Sequence, residues 1–296
     1  MDWLRFITET PTAPKGVEKR VEPSNTGVRY DTAWARRPLA KAVREVGVYG
    51  FMKPAVRIYA KPKVIGADRL DAVDGPVILA ANHHSHADTS LMLATLPGHL
   101  RRDLAVVAGA DYFFPNQIAA AASALFIGAI PIERTKLSKL SIENAVNVIQ
   151  TGHNLLIYPE GGRSPDGWSR EHRPGAAFVA KQTGAPVIPV YIDGTATVLP
   201  KGQNWPTRSR TAVVFGKELR METGEDARAF AARIQAKINE LADEFAHGWW
   251  ESRKRAHADK IESLQGPEAG AWRRRWALGP KPSERSRAKA KRWPQR

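Results

Sequence analysis

Cysteine is absent from all 296 residues, so neither a disulfide framework nor a thiolate metal site can form, and redox chemistry at sulfur is excluded. A reducing compartment is allowed without being required. Long apolar runs are missing too: the longest, Ile118 to Ile132, is interrupted by Ser123, Gly128 and Pro131 and falls short of the roughly 20 residues of a bilayer span. A helix followed by a buried strand is the expectation there. The start, MDWLRFITETPTAPK, has early acidic residues and no apolar segment of the secretory type, which predicts a protein on the cytoplasmic side. Negative charge is scarce, with 30 Asp and Glu against 45 Lys and Arg, a formal charge of +15. Trp272 to Arg296 carries +9 of this and the rest of the chain +6. So local a surplus predicts an anionic partner: lipid head groups, an acidic substrate or nucleic acid.

What is present suffices for a full core. With 43% hydrophobic residues, the chain predicts one large domain with extensions. Residues 1–29, rich in Pro, Thr and charge without periodicity, read as a loose arm. In residues 30–62, Trp34, Leu39, Val43, Val46, Phe51 and Val56 interleave with arginines and lysines. That pattern predicts one or two amphipathic helices interrupted at Pro54, with a face suited to membrane contact.

Residues 63–250 alternate short apolar runs with helical patterns. Strands are expected near Val77–Ala81, Leu104–Val107, Leu125–Ile130, Leu155–Tyr158, Val187–Ile192 and Ala212–Phe215, with helices at Leu137–Gln150 and Gly175–Thr183. This order predicts an α/β fold with a mixed, mostly parallel sheet flanked by helices. Thr223 with Asp226 suggests a capping box before a long amphipathic helix. Residues 251–296 form a basic extension in which Trp272, Trp276 and Trp293 stand among arginines, a composition suited to an anionic bilayer surface.

Chemistry is concentrated in Val77–Ser90, VILAANHHSHADTS, where an apolar run empties into three histidines and Asp88. Two registers compete. His84, His86 and Asp88 have the H-x-H-x-D spacing of two-zinc hydrolases, although position 89 is Thr and few further His or Asp ligands follow. The other register, Asn82 to Asp88, has the form N-H-x-S-x-x-D. In it the strand ends at Asn82 and Asp88 enters the first turn of a helix. The carboxylate then reaches back to His83 Nδ1, fixes its tautomer and leaves Nε2 as a base for an alcohol.

The N-H-x-S-x-x-D block resembles the hallmark of the glycerolphosphate and lysophosphatidic acid acyltransferase family. Three further blocks follow in the family's order: GAIPIER at Gly128 to Arg134, YPEGGRS at Tyr158 to Ser164, and VIPV at Val187 to Val190. The resemblance covers roughly residues 60–220. It implies transfer of an acyl group from a thioester of coenzyme A or acyl carrier protein to a lysophospholipid hydroxyl, most simply that of 1-acyl-glycerol 3-phosphate. His83 and Asp88 become the catalytic pair, with Asn82 and Ser85 in support. Arg134, Glu160, Gly161, Gly162 and Arg163 become the substrate-binding groups, the arginines gripping phosphate with planar forks.

The implied protein needs no metal and no resident cofactor, and sits peripherally or monotopically at the inner face of the cell membrane on anionic lipid. Where the family carries threonine, Gly162 stands here, which removes a hydroxyl from the phosphate loop. A different function, binding of nucleic acid through the basic tail, is the alternative from outside enzymology, and no recognised nucleic-acid motif accompanies it.

Overall fold

A computed structural model of the chain describes residues 27–133, 138–164, 167–200, 203 and 205–266. Seven strands form one sheet: β1 Pro62–Ile65, β2 Ile78–Ala81, β3 Leu104–Gly109, β4 Ala129–Ile132, β5 Asn154–Ile157, β6 Val187–Asp193 and β7 Thr211–Phe215. Their order is β1-β7-β6-β2-β5-β3-β4, with every pair parallel except β6 and β7. The mixed, mostly parallel sheet flanked by helices is the expected architecture.

β2 lies between β5 and β6, with Ile78 opposite both Leu155 and Val187. All four of its residues are buried, because both faces of a parallel sheet are covered and side chains alternate between them. Ile78 and Ala80 join one core with helices α5 Lys139–Gln150, α6 Gly175–Thr183 and α7 Ala227–His247. Leu79 and Ala81 point the other way, into a core completed by α3 Ala87–Thr95 and by Val56 of α2 Lys53–Tyr59. The charged tip of the motif therefore stands at the carboxyl end of a central strand, where open α/β sheets form their crevices.

Two helical boundaries differ from expectation. Leu125 to Ile127 belong to helix α4 Gln117–Ile127, not to a strand; Gly128 closes that helix at φ 67° and β4 begins only at Ala129. An apolar run does not reveal where helix ends and strand begins, and glycine is needed here because a Cβ would meet Leu104 O at 2.7 Å. Asp226, not Thr223, is the N-cap of α7, its Oδ1 accepting from the N–H groups of Arg228 and Ala229. Gly224, at φ 84°, turns the chain away before a cap at Thr223 could form.

Ahead of the sheet, α1 Pro38–Gly47 joins α2 through a wide π-type turn, Val48–Met52. Pro54 sits in the first turn of α2, the position where its missing N–H costs nothing. Buried Arg101 fixes this segment to the domain by a two-pronged bond to Glu45, at 3.0 and 2.8 Å, and a bond to Tyr49. Helix α8 Trp249–His257 follows α7, and the chain then runs back to Gly266. The tail beyond, with Trp272, Trp276 and Trp293, lies outside the described residues, as does residue range 1–26 of the arm.

Candidate active site

Asn82 follows β2 and holds its end to β6 by a reciprocal pair of bonds: its Nδ2 donates to Ile192 O at 2.8 Å, and its Oδ1 accepts from Ile192 N–H at 2.7 Å. The chain then turns, and the turn is closed by Asp88. Asp88 Oδ2 accepts from His83 Nδ1 at 2.7 Å, from His84 N–H at 2.8 Å and from Ser85 N–H at 2.9 Å. The Ser85 hydroxyl in turn donates to Leu199 O and accepts from Ala87 N–H. A wholly buried carboxylate is opposed by desolvation, but the hydrogen bond and charge of His83 and the Ser85 N–H outweigh it and hold Asp88 below the usual carboxylate range. Since an ionised carboxylate only accepts, His83 carries its proton on Nδ1, and Nε2 has a free lone pair.

His83 is held from two further directions. Tyr158, at the end of β5, stacks on its ring with centroids 4.1 Å apart and planes 18° from parallel, and the Tyr158 hydroxyl meets that of Thr89 at 3.1 Å. Burial, helped by the Asp88 charge, raises Tyr158 well above the usual phenol range, so the ring is a neutral wall. The main chain of His83 is bound by the loop after β5: its N–H donates to Glu160 Oε1, and its C=O accepts from Ser164 N–H, each at 2.9 Å.

A cavity of about 350 Å³ opens at this point. His83, His86, Gly161 and Gly162 are among the residues that line it. Val106, Ala108, Ile127, Ile132 and Ile157, drawn from β3, β4, β5 and the end of α4, add apolar lining, as does Phe113 of the short helix after β3. One compartment thus presents an imidazole base, a glycine turn and an apolar wall. Such a site suits a substrate with an alcohol, an anion and an aliphatic chain.

Residues 61–193 match the family model described as Acyltransferase. The match runs from β1 to the end of β6. A 1-acyl-sn-glycerol-3-phosphate acyltransferase of Chlamydomonas reinhardtii is 29% identical over 189 residues, 63% of this chain and 54% of that protein. Chloroplastic enzymes of the same name from Brassica napus and Arabidopsis thaliana are 25% and 24% identical over 55% and 69% of this chain, and 44% and 53% of theirs. The chain spans about half the length of the curated relatives it matches. The crystal structure of PlsC, the 1-acyl-sn-glycerophosphate acyltransferase of Thermotoga maritima, shares the fold at a TM-score of 0.57 and 21% identity, covering 74% of this chain and 84% of that one.

The substrate-binding groups expected from sequence are placed unequally. Gly161 and Gly162 share the cavity lining with His83. Gly161 has φ 69°, and a Cβ there would meet the Arg173 side chain at 2.9 Å, so only glycine fits. Arg163 follows, half-buried, and no described residue bonds its guanidinium. Arg134 lies outside the described residues. Glu160 is 1% exposed and serves as an internal strut: Oε1 takes His83 N–H and Oε2 takes Arg170 N–H, each at 2.9 Å. Burial raises its carboxyl above the usual range despite those two bonds and the nearby His84 and His83.

His84 and His86 part company. His84 Nε2 is buried without a partner, while His86 stacks on Tyr112 at 4.9 Å in the cavity wall. Among the described residues, no three His, Asp or Glu side chains converge to hold a metal ion. Sequence reasoning missed Tyr158 and Arg170. The aromatic residue opening YPEGGRS was a signal for the first; nothing in the loop's composition singled out the second.

Proposed function

We propose that the protein transfers an acyl group from an acyl thioester to the free hydroxyl of a lysophospholipid, 1-acyl-glycerol 3-phosphate above all. His83 Nε2 takes the hydroxyl proton as the hydroxyl oxygen bonds to the thioester carbon. The tetrahedral intermediate then expels the thiolate, which receives the proton back from the imidazolium, leaving ester and thiol. General-base help of this kind accounts for about 10² to 10⁴ in rate, and alignment of two substrates in one cavity accounts for much of the rest. Asp88 fixes the tautomer and stabilises the imidazolium. Arg163, with Arg134, supplies the charge that answers the acceptor's phosphate.

The observation that carries this reading is the bond between buried Asp88 and Nδ1 of His83, a residue that lines a cavity together with apolar side chains. The names of the chloroplastic and algal relatives support the choice of acceptor. The test is a purified-protein assay with a panel of lysolipids and both acyl-CoA and acyl carrier protein thioesters. Formation of phosphatidic acid is expected from at least one donor, and its absence with all pairs overturns the reading.

An interfacial position serves this chemistry. Leu39, Val46 and Phe51 in the first helical segment are 79%, 74% and 77% exposed, and α4 beside them exposes Ile118 and Phe126. Lys53, Arg57 and Lys61 line an adjoining groove. Apolar side chains flanked by cations suit the surface of an anionic bilayer. No described helix is long and apolar enough to cross a membrane. Ile127 carries the apolar surface of α4 into the cavity, a short route from bilayer to catalytic histidine for an acyl chain.

A further inference from the structure

We propose that Arg170 is a phosphate-binding residue of the acceptor site, acting with Arg163 across the glycine turn. The proposal rests on the acyl-acceptor reading above. Arg170 lies in the loop between β5 and α6, and its Nη1 stands 3.8 Å from where a Cβ on Gly162 would be, so one end of the guanidinium lies beside the turn that lines the catalytic cavity. Its Nε is buried and has no hydrogen-bond partner. A desolvated cationic donor left unpaired is costly, and an incoming anion removes that cost.

The backbone of Arg170 is clamped on both sides. Its N–H donates to Glu160 Oε2 at 2.9 Å and its C=O accepts from Gln235 Nε2 at 3.3 Å. Because the other oxygen of Glu160 binds His83 N–H, one buried carboxylate sets the spacing between the catalytic histidine and Arg170. Ser169, one residue earlier, is pinned by its N–H to Leu264 O at 2.8 Å. With the backbone so fixed, only the rotamers of the side chain itself remain to be ordered when it binds.

The chemistry of the acceptor says which anion belongs here. In 1-acyl-glycerol 3-phosphate the phosphate is borne by the carbon next to the reacting hydroxyl, so its site must lie close to His83. The phosphates of a coenzyme A thioester are separated from the reacting carbon by the whole pantetheine arm. Gly161 and Gly162 share a cavity with His83, and the guanidinium above Gly162 meets the nearer phosphate. Two planar forks on one dianion match its geometry and charge. Gly162, where the family carries threonine, leaves the turn's surface open for this contact.

The test compares wild type with Arg170→Gln and Arg170→Lys using two acceptors, 1-acyl-glycerol 3-phosphate and the neutral 1-acylglycerol, with thermal unfolding as a check on the fold. Arg170→Gln is expected to raise KM for the phosphorylated acceptor at least tenfold, change kcat less than threefold and leave the neutral acceptor's KM unaltered; the lysine variant falls between. Equal losses with both acceptors, or an unchanged KM for the phosphorylated one, overturn the proposal. A second readout is binding of sn-glycerol 3-phosphate to the protein without donor, expected to weaken at least tenfold in Arg170→Gln. If wild type acylates neither acceptor but this difference is found, the anion site stands and the acyltransfer reading falls. Unaltered binding in the variant overturns the site itself.

Discussion

The main-chain N–H of His83 donates to Glu160 Oε1 across 77 residues of sequence, at 2.9 Å, so the base is anchored by a carboxylate that never faces the cavity. Replacing that carboxylate tests the anchor. In Glu160→Gln one amide oxygen remains to accept, while the amide NH2 faces the other backbone N–H. Relief of the buried charge offsets part of the loss, and the expected net destabilisation is about 1 to 3 kcal/mol in urea unfolding. Turnover should fall with it, since the His83 main chain loses one of its two tethers. An equally stable variant with full turnover would show the strut to be dispensable.

Asp88→Asn addresses the charge. With its oxygen in the place of Oδ2, the amide can still accept from His84 N–H, Ser85 N–H and His83 Nδ1–H, so the turn and the tautomer are kept. What is lost is the negative charge that stabilises the imidazolium formed when Nε2 takes the substrate proton. A fall in kcat of about 10² to 10⁴, with acceptor KM nearly unchanged, is expected. Asp88→Ala, which leaves both N–H groups unpaired as well, should lose stability in addition. A kcat for the asparagine variant within twofold of wild type contradicts the assigned role.

How far such details could be read from sequence depends on their range along the chain. His83 and Asp88 are five positions apart across one strand-to-helix turn, so spacing offered their bond as one of two registers and the blocks downstream selected it. The buried strands were legible because residues such as Ile78 to Ala81 are covered on both faces and read as an unbroken apolar run. The boundary at Gly128 was not, since Leu125 to Ile130 is equally apolar on its helical and strand sides. Glu160 looked like a ligand for substrate because a motif shows residue type, not direction. Its actual partners are backbone N–H groups, which carry no sequence signature. Arg170 escaped notice for the same reason: its position is set by contacts with Glu160 and Gln235, far away in sequence.

Tyr158 supports His83 by its ring more than by its hydroxyl. Tyr158→Phe keeps the stack and gives up the bond to Thr89, a loss of about 1 kcal/mol in stability with kcat within threefold of wild type. Tyr158→Leu removes the flat surface beneath the imidazole, and a contact of about 0.5 to 1.5 kcal/mol corresponds to a fall in kcat of roughly two- to tenfold. The order phenylalanine above leucine is the outcome to check; a reversed order would make the hydroxyl the working part.

Acid should weaken the fold through His172. Burial pushes its imidazole down to about 4 from the ordinary 6.5, and its Nδ1 has no partner. Between those values the unfolded chain binds a proton that the native chain does not, so stability falls as pH drops from 6.5 towards 4. The group's share of that loss is at most about 3 kcal/mol. His172→Phe should remove it, giving a flatter profile of unfolding free energy over that range. An unchanged slope would place the acid sensitivity elsewhere, in carboxylates such as Asp88 that titrate at lower pH.

The first helical segment offers a test of surface docking that leaves the catalytic groups alone. Leu39 and Phe51 are 79% and 77% exposed, so changing both to serine removes no core contact and should leave the unfolding midpoint nearly unchanged. On a bilayer, by contrast, each side chain contributes up to about 1.5 to 3 kcal/mol when buried. The double variant should therefore bind vesicles containing anionic lipid at least tenfold more weakly. Turnover of a short-chain acceptor dispersed below its micellar concentration should be retained, because His83 and Asp88 are untouched. Wild-type vesicle affinity in the double variant would move the docking surface to the other exposed apolar groups, Ile118 and Phe126 of α4 or Trp249 and Trp250 of α8.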